Sequence, residues 1–363
     1  MKYNVVKPTI QKSVYNPTDE IELLLSFPGE EYVAGSWAVS MDVNLQETNG
    51  TPIADATELY IDSAAGAHGF LGLERISFQT SGDVYTSKFY ARVYKMHSVC
   101  NTTRNEQVSK STELCQLKAS DDSLTNKMLN ALQSVYLKPS ASGMNSVSGN
   151  IRSDKTGTVK IAYKIEDLVK AVFGPGATAA NSLQISNVEG HYNSIPLTQL
   201  NPKAPPTFMK VMQVVDQKVN TGNAVFNTNI SSGMVSAMSC SFLPIAYDNV
   251  FTNNQLQLSE PPNIKRVQWS FNNALDQYIE YPIETREEML QGFVESMGGD
   301  VNRNNIDSVP LDADPTTSNF GLGLKFNGTI DLRNKTIGLQ IDSDITSANP
   351  YYLYMVFTTY IAL

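Results

Sequence analysis

Residues 37–45 set Trp37, Val39, Met41, Val43 and Leu45 on alternate positions. A period of two puts those five side chains on one face of an extended strand, whereas a helix would scatter them around its circumference. Val159, Ile161, Tyr163 and Ile165 repeat the pattern. Further β-branched and aromatic segments occupy 20–25, 58–61, 75–79, 84–93, 182–188 and 192–197. A second set follows the Pro-rich stretch 201–207, at 211–219, 224–230, 234–242, 266–271, 277–283, 320–330, 336–341 and 351–361. The last is the longest apolar run. It is rich in Tyr and Thr and free of charge, which suits a buried strand. Strands this frequent, separated by turn residues, predict an all-β chain of sandwiches or barrels.

Three segments predict helices. Residues 121–137 carry Leu124, Met128, Leu129, Leu132 and Val135 at helical spacing, with Asp121, Asp122 or Ser123 as N-cap. Residues 284–297 set Met289, Leu290, Phe293 and Met297 on one face. Thr285 and Glu288 form a capping-box pair there, and Gly298-Gly299 supply a stop. A short third helix is expected over 166–173, ended by Gly174 and Pro175. The element order suggests a weak internal repeat. Glu74-Arg75-Ile76 and Lys265-Arg266-Val267 each lead into a strand, a second Tyr-rich strand follows, then one helix, then more strands. With 363 residues the chain has room for about two domains. The boundary is expected at the Pro-rich stretch, giving domains 1–200 and 201–363.

Composition narrows the function. Charged residues are 17% of the chain, against about 25% in ordinary globular proteins. The net charge is −9. A duplex-binding surface needs clustered Lys and Arg. Lys2, Lys7 and Lys12 are too dilute for that, so no specific nucleic acid is expected as a partner. The N-terminus has no apolar core of a secretory signal, and no run of about 18 apolar residues predicts a membrane span. Sequons at Asn49, Asn101, Asn229, Asn327 and Asn334 are then expected to be chance products of an Asn- and Thr-rich chain. Cys100, Cys115 and Cys240 are odd in number and lack CxxC spacing, against a disulfide framework or a zinc site. A Cys100–Cys115 bridge stays open.

No catalytic, cofactor-binding or metal-binding residue is expected. His68, His97 and His191 lack HxH or HExxH spacing; His68 is expected on the surface of a turn, and the other two flank strands. No GxSxG elbow occurs. The pairs Asp312/Asp314 and Asp342/Asp344 could offer oxygen ligands to a cation, but turn chemistry accounts for both. Gly174-Pro175-Gly176 lacks the Lys and Ser/Thr of a phosphate loop. Trp37 and Trp269 lie inside apolar alternation and are assigned to cores. Tyr351, Tyr352 and Tyr354 are read as packing and interface residues.

Two passages then carry a family resemblance. The first runs from Glu58-Leu59-Tyr60-Ile61-Asp62 through Ala65-Gly66, Leu73 to Phe78 and Gly82-Asp83-Val84 to Lys88 through Met96. The second joins Tyr281-Pro282, the helix before Gly298-Gly299, and the close from Phe320-Gly321 to Leu363. Together they resemble the double jelly-roll major capsid proteins of icosahedral viruses. The match covers most of the chain as a pattern of elements, without a diagnostic motif. The resemblance implies two tandem eight-stranded jelly rolls with a few short inserted helices. It implies a structural, non-enzymatic subunit that forms homotrimeric pseudo-hexagonal capsomers and contacts neighbouring capsomers. It further implies minor capsid or penton proteins as partners, leaves an underlying membrane open, and places the chain in the virion after synthesis in the host cytoplasm.

Two other classes compete. A carbohydrate-binding or adhesin sandwich would need exposed aromatics, with Trp37 and Trp269 as the candidates. A cupin-like metalloenzyme would need clustered histidines, and the three here are far apart in sequence.

Overall fold

The structure is a computed structural model that describes residues 1–47, 49–51, 53, 59–102, 127–128, 133–197, 206–228, 230, 234–272, 278–299, 319–332 and 335–363. Its first twelve strands are β1 (Lys2–Val6), β2 (Glu20–Leu25), β3 (Glu30–Tyr32), β4 (Ala38–Glu47), β5 (Tyr60–Ile61), β6 (Leu71–Phe78), β7 (Val84–Lys88), β8 (Lys127–Met128), β9 (Gln133–Leu137), β10 (Ile151–Arg152), β11 (Val159–Ile165) and β12 (Asn181–Pro196). The helices among them are α1 (Tyr90–Asn101) and the single turns α2 (Ser153–Thr156) and α3 (Leu168–Ala171). The later strands are β13 (Phe208–Val219), β14 (Asn223–Thr228), β15 (Met234–Pro244), β16 (Arg266–Asn272), β17 (Tyr278–Ile283), β18 (Leu322–Asp331), β19 (Thr336–Asp342) and β20 (Tyr351–Ala362), with α4 (Arg286–Ser296) between β17 and β18.

Strand pairing makes the two halves equivalent. In the second, one sheet runs β13-β20-β15-β18 and the other β14-β19-β16-β17. Counted within the half, that is first-eighth-third-sixth against second-seventh-fourth-fifth, the antiparallel order of an eight-stranded jelly roll. The first half has the same order. β12 lies between β1 and β4, with β9 beyond β4, and the facing sheet runs β2-β11-β6-β7. Here β3 and β10 extend the first sheet. Closing each sheet against its partner buries the apolar face that the period-two pattern creates, which is why the alternation recurs in both halves.

The cores follow. Trp37, Leu23, Val43, Ile161 and Leu183 belong to one buried cluster, and Trp269, Phe242, Leu339 and Leu353 to a second. Both tryptophans are 0% exposed, as the alternation predicts. The first cluster does not stop at the first half. It takes in Met209, Met212 and Val356 from the β13-β20 sheet, Phe293 and Val294 from α4, and Met297, which caps that helix. β20 is therefore covered on both faces, and its residues 353–359 are all buried, which accounts for its unbroken apolar run.

Several expectations need correction. The helix expected over 121–137 falls largely outside the described residues, and its two described pieces, β8 and β9, are strands. Leu137 and Val135 alternate with exposed Tyr136 on β9, which pairs with β4. The strand expected over 84–93 stops at Lys88, and after Phe89 the chain forms the twelve-residue α1. The segments 182–188 and 192–197 are one strand, β12, whose register shifts between Ser186 and Glu189 where Asn187 takes φ 50. The strand β1 pairs with β12 although its sequence carries no strong signal. The helix over 284–297 stands as expected, including the reciprocal Thr285–Glu288 capping box. The predicted boundary at 200/201 lies outside the described residues.

Candidate functional site

In both halves a helix follows the fifth strand of the roll: α1 after β7, and α4 after β17. These helices meet where the two rolls join. The Asn101 side chain donates to the Met297 carbonyl at 3.1 Å, tying the end of α1 to the end of α4. α4 lies close on β18 because Gly292 has no side chain there; a Cβ would collide with the Gly323 carbonyl. The seam between the rolls is the candidate site, since it decides whether they move as one body.

α1 starts abruptly. Phe89 takes φ 54 and ψ 41, a left-handed conformation that costs a bulky residue roughly 1–3 kcal/mol. Its ring then packs edge-on against Tyr354 of β20, with centroids 5.1 Å apart at 71°. From Tyr90 to Cys100 every α1 residue except His97 is buried, Arg92 and Lys95 included. A helix covered all round shows no amphipathic stripe, which is why its sequence does not announce a helix.

The two buried cations are served differently. Lys95 pairs with Asp62, which also accepts from the Ala64 and Ala65 backbone N–H groups at 2.9 Å and from the Asn254 side chain of the second half at 2.7 Å. Burial works against the Asp62 charge, but Lys95 and the donors from Asn254 and Ala65 outweigh it and hold the carboxyl below its ordinary range. Arg92 reaches across the seam. It donates to the Gln255 carbonyl at 2.6 Å and to the Gln257 carbonyl at 3.3 Å, and its guanidinium lies 4.2 Å from the Tyr354 ring centre. Stacking plus carbonyl acceptors suits a planar guanidinium better than an ammonium. The seam thus combines a shared apolar core with charge-assisted bonds whose partners sit in opposite rolls. It ties the two rolls together.

A second buried polar group lies within the first roll. Glu74 is 3% exposed and accepts from the Tyr163 hydroxyl at 3.0 Å, while the Trp37 indole N–H donates to the same hydroxyl at 2.9 Å. Burial pushes the Glu74 carboxyl up to about 7, with Tyr163 and Ser142 only partly offsetting it.

The residues singled out by sequence are not brought together. His68, expected on the surface, is 0% exposed; its Nδ1 lies 2.9 Å from the Tyr90 hydroxyl and its ring stacks on Tyr94 at 3.5 Å. The Gly-rich turn that carries it is a 3-10 helix, Gly66–Phe70, packed beneath α1. His97 is inside α1 instead of beside a strand. His191 lies within β12, between the Tyr3 hydroxyl at 2.6 Å and the Ser40 hydroxyl at 2.7 Å. Asp344 accepts from the Asn263 side chain at 2.5 Å and from the Lys265 side chain at 3.3 Å, while Asp342 is the last residue of β19. Asp312, Asp314 and Cys115 lie outside the described residues, and with Cys115 the Cys100–Cys115 bridge; Cys100 is buried in α1. Among the described residues no three His, Cys, Asp or Glu side chains are placed to hold a metal ion, and no helix is long and apolar enough to cross a membrane. Sequence reasoning missed Asp62, Arg92, Lys95 and Asn254. One signal was present: 84–100 has no Gly, Pro, Asn or Asp and is too long for one ordinary strand.

The sequence matches no family model and no curated protein. Among solved structures, the chain is similar to the Faustovirus major capsid protein over 100% of its own length and 90% of that chain, with a TM-score of 0.58 and 9% identity. It is similar to PBCV-1 VP54, as fitted into a reconstruction of the virophage Sputnik, over 100% of its own length and 94% of that chain (TM-score 0.57, 12% identity). The mavirus major capsid protein matches over 99% and 90%, with a TM-score of 0.51 and 9% identity. The likeness is one of fold: the chain has the double jelly-roll fold found in these viral major capsid proteins.

Proposed function

We propose that the chain is a major capsid protein whose work is self-assembly into an icosahedral shell, with no catalytic step. The observation that carries the reading is the pair of jelly rolls of identical strand order, joined across a shared core, over nearly the full length of the capsid proteins it is similar to. Two rolls per chain make a symmetric trimer a six-lobed, pseudo-hexagonal tile, and repetition of one heterologous contact closes the ring. The rolls are taken as residues 1–200 and 201–363. The tile meets neighbouring tiles in the shell, and minor capsid or penton proteins fill positions that a six-lobed tile cannot. The virion is its place of action after synthesis in the host cytoplasm, and whether a membrane lies beneath the shell stays open. The adhesin alternative loses its two candidate platform residues, because Trp37 and Trp269 are both fully buried.

The test is the mass of the purified chain by light scattering, followed by electron microscopy. The expected species is three times 39.9 kDa, or larger shells, with an interface above about 2,000 Å². A stable monomer over a wide concentration range would sink the proposal.

A further inference from the structure

A cavity of about 350 Å³ opens on the outer face of the β13-β20-β15-β18 sheet, just past the C-terminal end of α4. That size lies in the range of small-molecule sites, which run from about 300 to 1,000 Å³. Its walls are mostly apolar, from Met212, Met297, Phe326 and Tyr360. Two polar groups in it lack partners. The Thr358 hydroxyl, in a residue 4% exposed, makes no hydrogen bond among the described residues. Lys210 is half-buried, and among the described residues its ammonium makes no ion pair or hydrogen bond. Thr358 pairs with Met212 and Lys210 with Tyr360 across the β13–β20 ladder, so the four side chains share one face of the sheet.

We propose that this cavity binds a small organic carboxylate with an apolar body, its carboxylate held by Lys210 and Thr358. The inference goes beyond the assembly reading and does not depend on it. A buried hydroxyl without a partner is costly, and a water could satisfy it, but water would leave the Lys210 charge uncompensated. Charge selects the valence of the ligand. Lys210 and Lys325 face one carboxylate, Glu295, which accepts from Gln291 at 2.9 Å. The carbonyl end of α4, at Met297 and Gly298, adds partial negative charge. One negative charge balances the site and two overload it, so inorganic phosphate fits poorly. The apolar walls would also go unused by a bare ion. Burial lowers Lys210 to about 8, so its charge, and with it the ligand, is lost as pH rises through that value.

The experiment is calorimetric titration of the full chain with octanoate, 1-octanol and inorganic phosphate at matched ionic strength. Saturable one-to-one binding of octanoate alone is expected, fading between pH 7 and pH 9. Lys210→Met should weaken it about tenfold or more, and Thr358→Val several-fold, while Lys210→Arg retains it. Circular dichroism confirms that each variant is folded. Octanol binding as well as octanoate, phosphate binding alone, no saturation at all, or a folded Lys210→Met variant that binds like the parent would each overturn the proposal.

Discussion

The two jelly rolls share strand order and helix position, yet they use that helix in opposite ways. α4 follows the fifth strand of its roll with its capping box and acidic first turn in water and Met289, Phe293 and Val294 buried. α1 follows the fifth strand of the other roll and is buried on all sides, with Arg92 and Lys95 sealed inside. The same insertion is a surface brace in one half and an internal wedge in the other. The cores differ likewise. Glu74, Tyr163 and Trp37 link into a hydrogen-bonded chain in the first, whereas in the second the Trp269 indole N–H has no partner among the described residues. The asymmetry places the charge-dependent part of the fold in the first roll and at the seam. Duplicated topology leaves such choices to side chains.

The largest test of that contrast is at the seam. Asp62→Ala leaves Lys95 buried without its carboxylate and should cost about 3–5 kcal/mol in urea unfolding, whereas the double change Asp62→Leu with Lys95→Met should recover most of it. If the single variant unfolds like the parent, α1 is not held by charge. The second test uses pH on the first core. Glu74 has its folded-state value raised from 4.5 to about 7, so the folded chain binds the extra proton between those values. Stability should therefore fall as pH rises from about 4.5 to about 7, by up to about 3 kcal/mol, and level off above. Glu74→Gln should remove that slope and leave the variant more stable than the parent at pH 8, read from urea midpoints. An unchanged slope would assign the pH dependence elsewhere. The smallest effect is expected at α4, where Thr285→Ala removes the N-cap acceptor and should cost about 1 kcal/mol. A loss as large as at Asp62 would mean that α4, too, governs the seam.

The same contrast separates what was legible. α4 could be read because it faces water on one side, which writes a 3.6-residue period and a cap into its sequence. α1 could not, because Tyr90, Val93, Tyr94 and Met96 are buried together with Arg92 and Lys95, and no face is left polar. The residues 121–137 misled in the reverse direction. Val135 fits the helical stripe of Leu124, Met128, Leu129 and Leu132, but with Leu137 it also fits a strand face, and pairing of β9 with β4 decided between them. His68 looked superficial because glycines flank it, but the turn is covered by α1.

Sequence alone determined the all-β class, the two successive sets of strands, the helix ahead of Gly298-Gly299 and the burial of both tryptophans. Each of these is a local pattern of period or punctuation that a residue carries whatever lies far away in the chain. Tertiary structure alone decided the strand order, the identity of α1 and the partners of Asp62, Arg92 and Glu74. Those depend on contacts between residues as distant as Arg92 and Gln255, and no local period encodes which distant segment will close over a buried charge.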